Sequence, residues 1–239
     1  MVNIAIIPAR LNSTRFPKKI LANIKGKPMI AHVAERALES KKLDRVIIAI
    51  DSKETKDALE AFDFDVVMTS TKHKSGTDRI AEVAKKFNND DIIINIQGDE
   101  PLLKPKLIDD LIKAFDENEV QMATLASTRL SMEDFQDKNI VKLCVDDNMY
   151  ARGFFRNLFF DTTINEVGCL YKHIGVYAFR QKCLQKYTSL TPTKNEKHFK
   201  LEQLRALEND IKIKVIATNY TKPSVDTLED LSKIAKILG

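Results

Sequence analysis

The chain has 239 residues, 44% of them hydrophobic and 30% charged, a balance that supports one sizeable core without disulfides or a structural metal. Its formal charge of +4 includes no long Lys/Arg block, which argues against a nucleic-acid partner, and no apolar run reaches the length of a membrane span. Cys144, Cys169 and Cys183 are odd in number and far apart, as free thiols in a reducing cytoplasm are, and the first residues show no basic segment ahead of an apolar core, so a soluble cytoplasmic protein is expected.

In chain order, residues 2–7 read as a buried strand, followed by a polar loop that runs to about Lys27. An amphipathic helix is expected over 29–38, opened by Pro28. A strand over 45–50 ends at Asp51-Ser52, a helix-capping pair, and 53–62 follows as helix. Residues 65–68 form a short strand, 78–87 a helix, 91–96 a strongly β-branched strand, 105–115 a helix and 121–126 a strand. This alternation predicts an α/β fold with a mostly parallel central sheet and helices on both faces. After about Leu130 the pattern changes. Segments 139–145, 150–155 and 173–179 read as strands with little helix between them, a β-rich arm within a single 1–239 domain. Residues 130–180 are expected to serve as a lid or dimerisation subregion. A helix over 200–208, a strand over 212–217 and a helix over 227–238 close the chain, with Asp226-Thr227 as the helix start.

The chemistry-bearing residues cluster at strand ends. The first strand feeds Ala9-Arg10-Leu11-Asn12-Ser13-Thr14-Arg15 and then Lys18-Lys19. Guanidinium forks suit phosphate oxygens and a lysine adds a mobile point charge, so Arg10, Arg15 and Lys19 suggest a triphosphate site. Gln97-Gly98-Asp99-Glu100-Pro101 follows the 91–96 strand and lies at its carboxyl end, where open α/β sheets bind ligands. Asp99 is a hard oxygen donor of the kind Mg²⁺ requires, and a cationic loop with a metal-binding acid is the minimum kit for phosphoryl chemistry. Ser75-Gly76-Thr77-Asp78-Arg79 opens a helix; its hydroxyls serve equally well as caps or as donors to a base or phosphate. Asp226 reads first as a cap. G-x-G-x-x-G, the P-loop signature, H-E-x-x-H and a serine nucleophile elbow are all absent, and His32, His73, His173 and His198 have no zinc spacing.

Taken together, Ile7-Pro8-Ala9-Arg10 with Ser13-Thr14-Arg15, Gly26-Lys27-Pro28-Met29-Ile30, Ser75 to Arg79, Gln97 to Pro101, Met122-Ala123-Thr124-Leu125-Ala126, His173-Ile174-Gly175-Val176-Tyr177, Leu201-Glu202-Gln203-Leu204-Arg205 and Val225-Asp226-Thr227 resemble the 3-deoxy-manno-octulosonate (Kdo) cytidylyltransferase family over nearly the whole chain. The resemblance implies a nucleotide-diphospho-sugar transferase fold, a homodimer, and a Mg²⁺-dependent reaction of CTP with a 3-deoxy-ulosonic sugar acid, giving the CMP-sugar and pyrophosphate for lipopolysaccharide biosynthesis. It implies that Ala9, Arg10, Ser13, Arg15, Lys19, Ser75, Thr77 and Arg79 bind the nucleotide. Asp99 and Asp226 would ligate Mg²⁺ and act with Arg10 and Lys19 in catalysis. Gln97, Arg156, His173, Tyr177, Glu202 and Gln203 would face the sugar acid.

The chain departs from the family at a few places. Lys18 stands where glycine is usual. Gly153-Phe154-Phe155-Arg156-Asn157-Leu158-Phe159-Phe160 replaces a proline-containing segment, and a glutamate usual near Phe199 is missing. All but Lys18 fall on the sugar side, which leaves Kdo, an 8-amino form or another ulosonic acid as the acceptor. A nucleotide- or RNA-binding module without turnover is the alternative of a different class; Asp99 and Asp226 speak against it, since a pure binder of polyanions gains nothing from acids beside the phosphates.

Overall fold

The computed structural model describes residues 1–12, 16–156, 170–221, 225 and 227–238. Its first half follows the β-branched runs. In chain order come β1 (Asn3–Ala9), a 3₁₀ turn (Lys19–Leu21), the small hairpin β2 (Asn23–Ile24) and β3 (Lys27–Pro28), α1 (Met29–Leu38), β4 (Arg45–Ile50), α2 (Lys53–Leu59), β5 (Asp65–Met68), α3 (Gly76–Ala84), β6 (Ile92–Asn95) and α4 (Pro105–Lys113). The second half contributes β7 (Met122–Ser127), α5 (Met132–Gln136), β8 (Lys142–Val145), β9 (Ala151–Phe155), β10 (Leu170–Arg180), α6 (Gln181–Ser189), α7 (Lys194–Phe199), α8 (Leu204–Leu207), β11 (Ile213–Thr218) and α9 (Leu228–Ile237).

The main sheet runs β11-β7-β10-β6-β1-β4-β5. Strands β6, β1, β4 and β5 pair in parallel, as do β7 and β11. Along this path β10 runs against its neighbours β6 and β7, and off the path β8 pairs antiparallel with β10 and with β9. The expected mostly parallel sheet is therefore present, with one antiparallel strand at its centre. Both faces are covered, because alternate residues of each strand point to opposite sides. From β1, Ala5 and Ile7 join Ile48, Ile94 and the apolar faces of α1 and α4, including Val33 and Leu111. Ile4 and Ile6 point the other way and pack with Ile47, Ile93, Ile80 of α3 and Leu184 and Tyr187 of α6. A smaller cluster of Ile24, Met29, Leu102, Val225 and Ile234 seats α9 beside the β2–β3 hairpin.

Three expectations change. The stretch read as loop up to Lys27 holds the 3₁₀ turn and the β2–β3 hairpin, whose turn needs Lys25 and Gly26 at positive φ. The segment 173–179, expected in the arm, is part of an eleven-residue strand that joins two regions. Its first residues pair with β8, and its last four pair with β6 in the middle of the main sheet. Finally, 200–208 is not one helix. Helix α7 stops at Lys200, which takes a left-handed conformation (φ 54°, ψ 47°), and α8 begins only at Leu204. That interruption leaves Leu201, Glu202 and Gln203 as a turn facing the sheet. Among the described residues no helix is long and apolar enough to cross a membrane.

Candidate active site

The carboxyl ends of β1, β4 and β6 lie side by side, and the polar loops after them share one edge of the sheet. Two glycines let these loops close on each other. A Cβ on Gly98 would stand 3.2 Å from the Pro8 carbonyl oxygen and from Ile30 Cδ1, and one on Gly76 would stand 3.1 Å from Pro8 Cγ. Pro8 is thus clasped between the loop after β6 and the start of α3. Ala9 ends β1 fully buried, and Arg10 follows it exposed.

Lys19 reaches from the 3₁₀ turn to this edge. Its Nζ donates to Asp99 Oδ2 at 2.7 Å and to the Val225 carbonyl at 2.9 Å. The Val225 amide in turn donates to the Asp99 carbonyl at 3.0 Å. The segment preceding α9 is thereby tied to the loop after β6. The cap of α9 is Thr227, whose hydroxyl accepts from the Asp230 amide, and not Asp226 as first read. Asp226 itself, like Ser13 and Arg15, lies outside the described residues. Among those described, no three His, Cys, Asp or Glu side chains gather as a metal cage. One partly exposed carboxylate beside a cationic loop nevertheless fits a hard divalent cation, which takes one or two carboxylates and completes its shell with substrate phosphates and water.

Lys18 explains its own oddity. It sits at φ 54° and ψ 29°, the left-handed region glycine occupies without strain, and its ammonium pairs at 2.6 Å with Glu54, away from Asp99. The extra cation is therefore directed to α2.

Beside this cationic corner opens a cavity of about 300 Å³. Every residue expected on the sugar side, Gln97, Arg156, His173, Tyr177, Glu202 and Gln203, lines it, and Thr77 joins them from α3. Gln97 donates to Asn95 Oδ1 at 3.2 Å, and Asn95 reaches Thr77 Oγ1 at 3.5 Å. Ser75 is the N-cap of α3, accepting from the Asp78 amide at 3.0 Å, and its hydroxyl lies 3.4 Å from Glu202 Oε1. The start of α3 therefore borders both compartments.

The cavity wall is poor in solvent and its groups titrate accordingly. His173 packs edge-on to Phe154 and beside Tyr177, with a ring nitrogen 3.2 Å from Thr124 Oγ1. Burial lowers its pKa to about 3, so the imidazole is neutral at physiological pH. The Tyr177 hydroxyl is buried without a hydrogen-bond partner among the described residues, and burial raises its pKa well above the ordinary tyrosine value. Burial likewise raises the Glu202 carboxyl, against the opposing pull of Thr77 and Arg205. Behind the wall, Tyr187 Oη donates to the Glu202 carbonyl at 2.8 Å, and the Arg205 guanidinium lies 5.3 Å from the Tyr187 ring.

Two arginines are deployed differently from the sequence reading. Arg156 sits at the cavity rim but directs its guanidinium at the carbonyls of Lys138, Asn139, Phe199 and Lys200, stitching the arm to the end of α7. Arg79, read as lying around the nucleoside, is only 2% exposed; its fork is taken up by Asp51, Thr69 Oγ1 and the Ser70 carbonyl. Asn95, Thr124, Tyr187 and Asp51 are not among the site residues expected from sequence, although Asp51 stands in a capping pair and Thr124 in a family motif. Asn95 did carry a signal, being the polar residue that ends an otherwise apolar strand.

A family model described as Cytidylyltransferase matches residues 4–213. The chain is 43% identical over 252 residues to the 3-deoxy-manno-octulosonate cytidylyltransferase of Thermodesulfovibrio yellowstonii, covering 100% of this chain and 99% of that one. It is also 43% identical over 250 residues to the protein of the same name from Francisella tularensis subsp. holarctica, with 100% of both chains covered. A solved structure of CMP:2-keto-3-deoxy-manno-octonic acid synthetase complexed with CTP superposes with a TM-score of 0.92 at 36% identity, covering 100% of this chain and 98% of that one. A 4-diphosphocytidyl-2C-methyl-D-erythritol synthase from Anaerococcus prevotii, 17% identical with a TM-score of 0.63 and covering 99% and 98%, shares the fold.

Proposed function

Because this chain belongs to the cytidylyltransferase family, we propose that it transfers CMP from CTP to 3-deoxy-manno-octulosonate and releases pyrophosphate, a step of lipopolysaccharide biosynthesis. One observation carries the choice of acceptor. A cavity large enough for a small molecule is lined by Gln97, His173, Tyr177, Glu202 and Gln203, and Gln97 lies two residues from Asp99 on the loop after β6.

In this reading the CTP phosphates lie against Arg10, Arg15 and Lys19, and the nucleoside lies toward Ser75 and Thr77. The sugar acid occupies the cavity, with its anomeric hydroxyl turned to the α-phosphorus. Attack in line forms the new P–O bond as the bond to pyrophosphate breaks. Lys19 and Arg10 place positive charge where the leaving group becomes more negative. His173, being neutral, orients the acceptor by hydrogen bonding and does not pair its carboxylate. Asp99 and Asp226 would hold Mg²⁺, which when bound neutralises phosphate charge and raises the acidity of an oxygen it touches. The use of CTP places the enzyme in the cytoplasm. The assembly is a homodimer, with 130–180 as lid and dimer contact; support for the lid is that β8 and β9 extend β10 beyond its pairing with β6.

The test is pyrophosphate release from CTP and Mg²⁺ with Kdo, run in parallel with 8-amino-Kdo and other ulosonic acids. Release with Kdo at the highest kcat/KM is expected. A higher kcat/KM with the 8-amino acid would reassign the acceptor, and no release with any acid despite CTP binding would refute transfer.

A further inference from the structure

A pair of opposite charges lies behind the Arg10 turn. Asp51 follows the last residue of β4; the next residue, Ser52, is occupied as the cap of α2, accepting from the Thr55 amide. The Asp51 carboxylate works in two directions. Its Oδ1 accepts from the Leu11 amide at 2.9 Å, and its Oδ2 accepts from Arg79 Nη2 at 2.9 Å. The pair is well enclosed, with side-chain exposures of 14% for Asp51 and 2% for Arg79. The other arm of the Arg79 fork donates to Thr69 Oγ1 at 2.5 Å, and that hydroxyl donates onward to the Ile50 carbonyl at 2.7 Å. Arg79 belongs to α3, the helix that begins at Ser75 and Thr77. A continuous run of charge-assisted bonds thus connects the residue after Arg10 to the helix that borders the other end of the site.

We propose that Asp51 and Arg79 are positioning residues: they hold the Arg10–Leu11 turn at a fixed distance from the start of α3, and so set the affinity for CTP. The inference rests on the CTP reading above. Neither residue touches the reacting atoms. An enclosed ion pair whose remaining oxygen and nitrogen are each bonded elsewhere is stiff, and a displacement of about 1 Å in a group that positions substrate is enough to lower rates about a hundredfold.

The test compares the unaltered enzyme with Asp51→Ala, Asp51→Asn and Arg79→Lys. CTP affinity is read by calorimetry without the sugar acid, KM is measured separately for each substrate, and hydrogen exchange is followed at the Leu11 amide. Asp51→Ala is expected to weaken CTP about tenfold or more, leave the KM of the sugar acid within about twofold, and speed exchange at Leu11. Asp51→Asn keeps an oxygen for the Leu11 amide and recovers part of the loss. A folded Asp51→Ala with CTP affinity unchanged or tighter overturns the proposal, as does an equal loss for both substrates, which marks a merely structural pair. Should Asp51→Ala fail to fold, Asp51→Asn and Arg79→Lys decide: selective weakening of CTP supports the proposal, and native affinity in both overturns it. If the unaltered enzyme does not bind CTP, the functional reading falls and takes this one with it; normal binding by the unaltered enzyme and by Asp51→Ala alike removes the positioning role alone.

Discussion

Removing the carboxylate of Glu196 should loosen from behind the wall of the cavity lined by Tyr187 and Glu202. Glu196 and Arg205 form a bidentate pair at 2.8 and 2.5 Å, with side chains 10% and 8% exposed. Glu196 also closes the capping box of α7, its Oε2 accepting from the Thr193 amide at 3.2 Å. Glu196→Ala leaves a guanidinium enclosed against Tyr187 and the Leu190 carbonyl without its hydrogen-bonded carboxylate. Breaking one side of such a pair costs about 3–5 kcal/mol. For a chain of this length each kcal/mol is about 2–4 °C, so a fall of about 6–20 °C in Tm is expected. The double variant Glu196→Leu/Arg205→Met removes the stranded charge and should recover much of that loss. Thermal melts followed by circular dichroism, with urea titrations of the same proteins, provide the measurement. A single variant within about 1 kcal/mol of the unaltered protein, or a double variant as unstable as the single, would refute the reasoning. Since Tyr187 donates to the Glu202 carbonyl, the single variant should also raise the KM of the sugar acid more than that of CTP.

Asp99→Asn should reduce turnover more than about a hundredfold while far-UV circular dichroism stays native; near-native turnover with Mg²⁺ would remove the metal role of Asp99. Lys18→Gly should change stability by no more than about 1 kcal/mol, because relief of the left-handed backbone is offset by the freedom of glycine in the unfolded chain and by loss of an exposed ion pair. Its CTP KM should stay within about twofold, and a tenfold rise would make Lys18 a phosphate ligand. For His173, whose pKa is lowered from 6.5 to about 3, the neutral ring contributes stability that is complete above pH 6.5 and is lost as pH falls through that window. The stability difference between the unaltered protein and His173→Gln should therefore shrink as pH falls from 6.5 toward 3, and a constant difference would count against a buried neutral imidazole.

What the sequence discloses here depends on the range of the interaction. The β-branched runs of β4 and β5 and the helix behind Pro28 were readable to the residue, because propensity, alternation and turn chemistry agree locally. The short helices α5 and α7 carry capping boxes, Ser131 with Asp134 and Thr193 with Glu196, yet went unread because α5 buries no residue and α7 only Glu196, leaving no apolar stripe. The residues of the sugar cavity were assembled from family motifs; their chemistry alone would not have grouped Gln97 with Glu202, more than a hundred residues apart. For Arg79, a place at the nucleoside is what the family resemblance implies. Its partners lie on Asp51 and Thr69, contributed by other elements, and that use is invisible until the sheet is built. Lys18 shows the reverse case: a residue that looked electrostatic by type proved notable for its backbone.

The placement of β10 has a consequence for the order in which the chain can assemble. In the sheet β7 lies between β10 and β11, both of which come later in the sequence. During synthesis β1, β4, β5 and β6 can pair as soon as they emerge, whereas β7 must wait with its apolar edges open until about residue 180 has been made. The two halves of the sheet are then joined by a single late, antiparallel insertion with a register irregularity between Ile174 and Tyr177. Such long-range closure is slow, and waiting edges are where chains stick to one another. The same eleven residues that supply His173 and Tyr177 to the cavity are thus the piece that joins the β6 and β7 parts of the sheet, so this wall of the cavity can form only once both neighbouring strands are in place, and β11 then closes the other edge of β7.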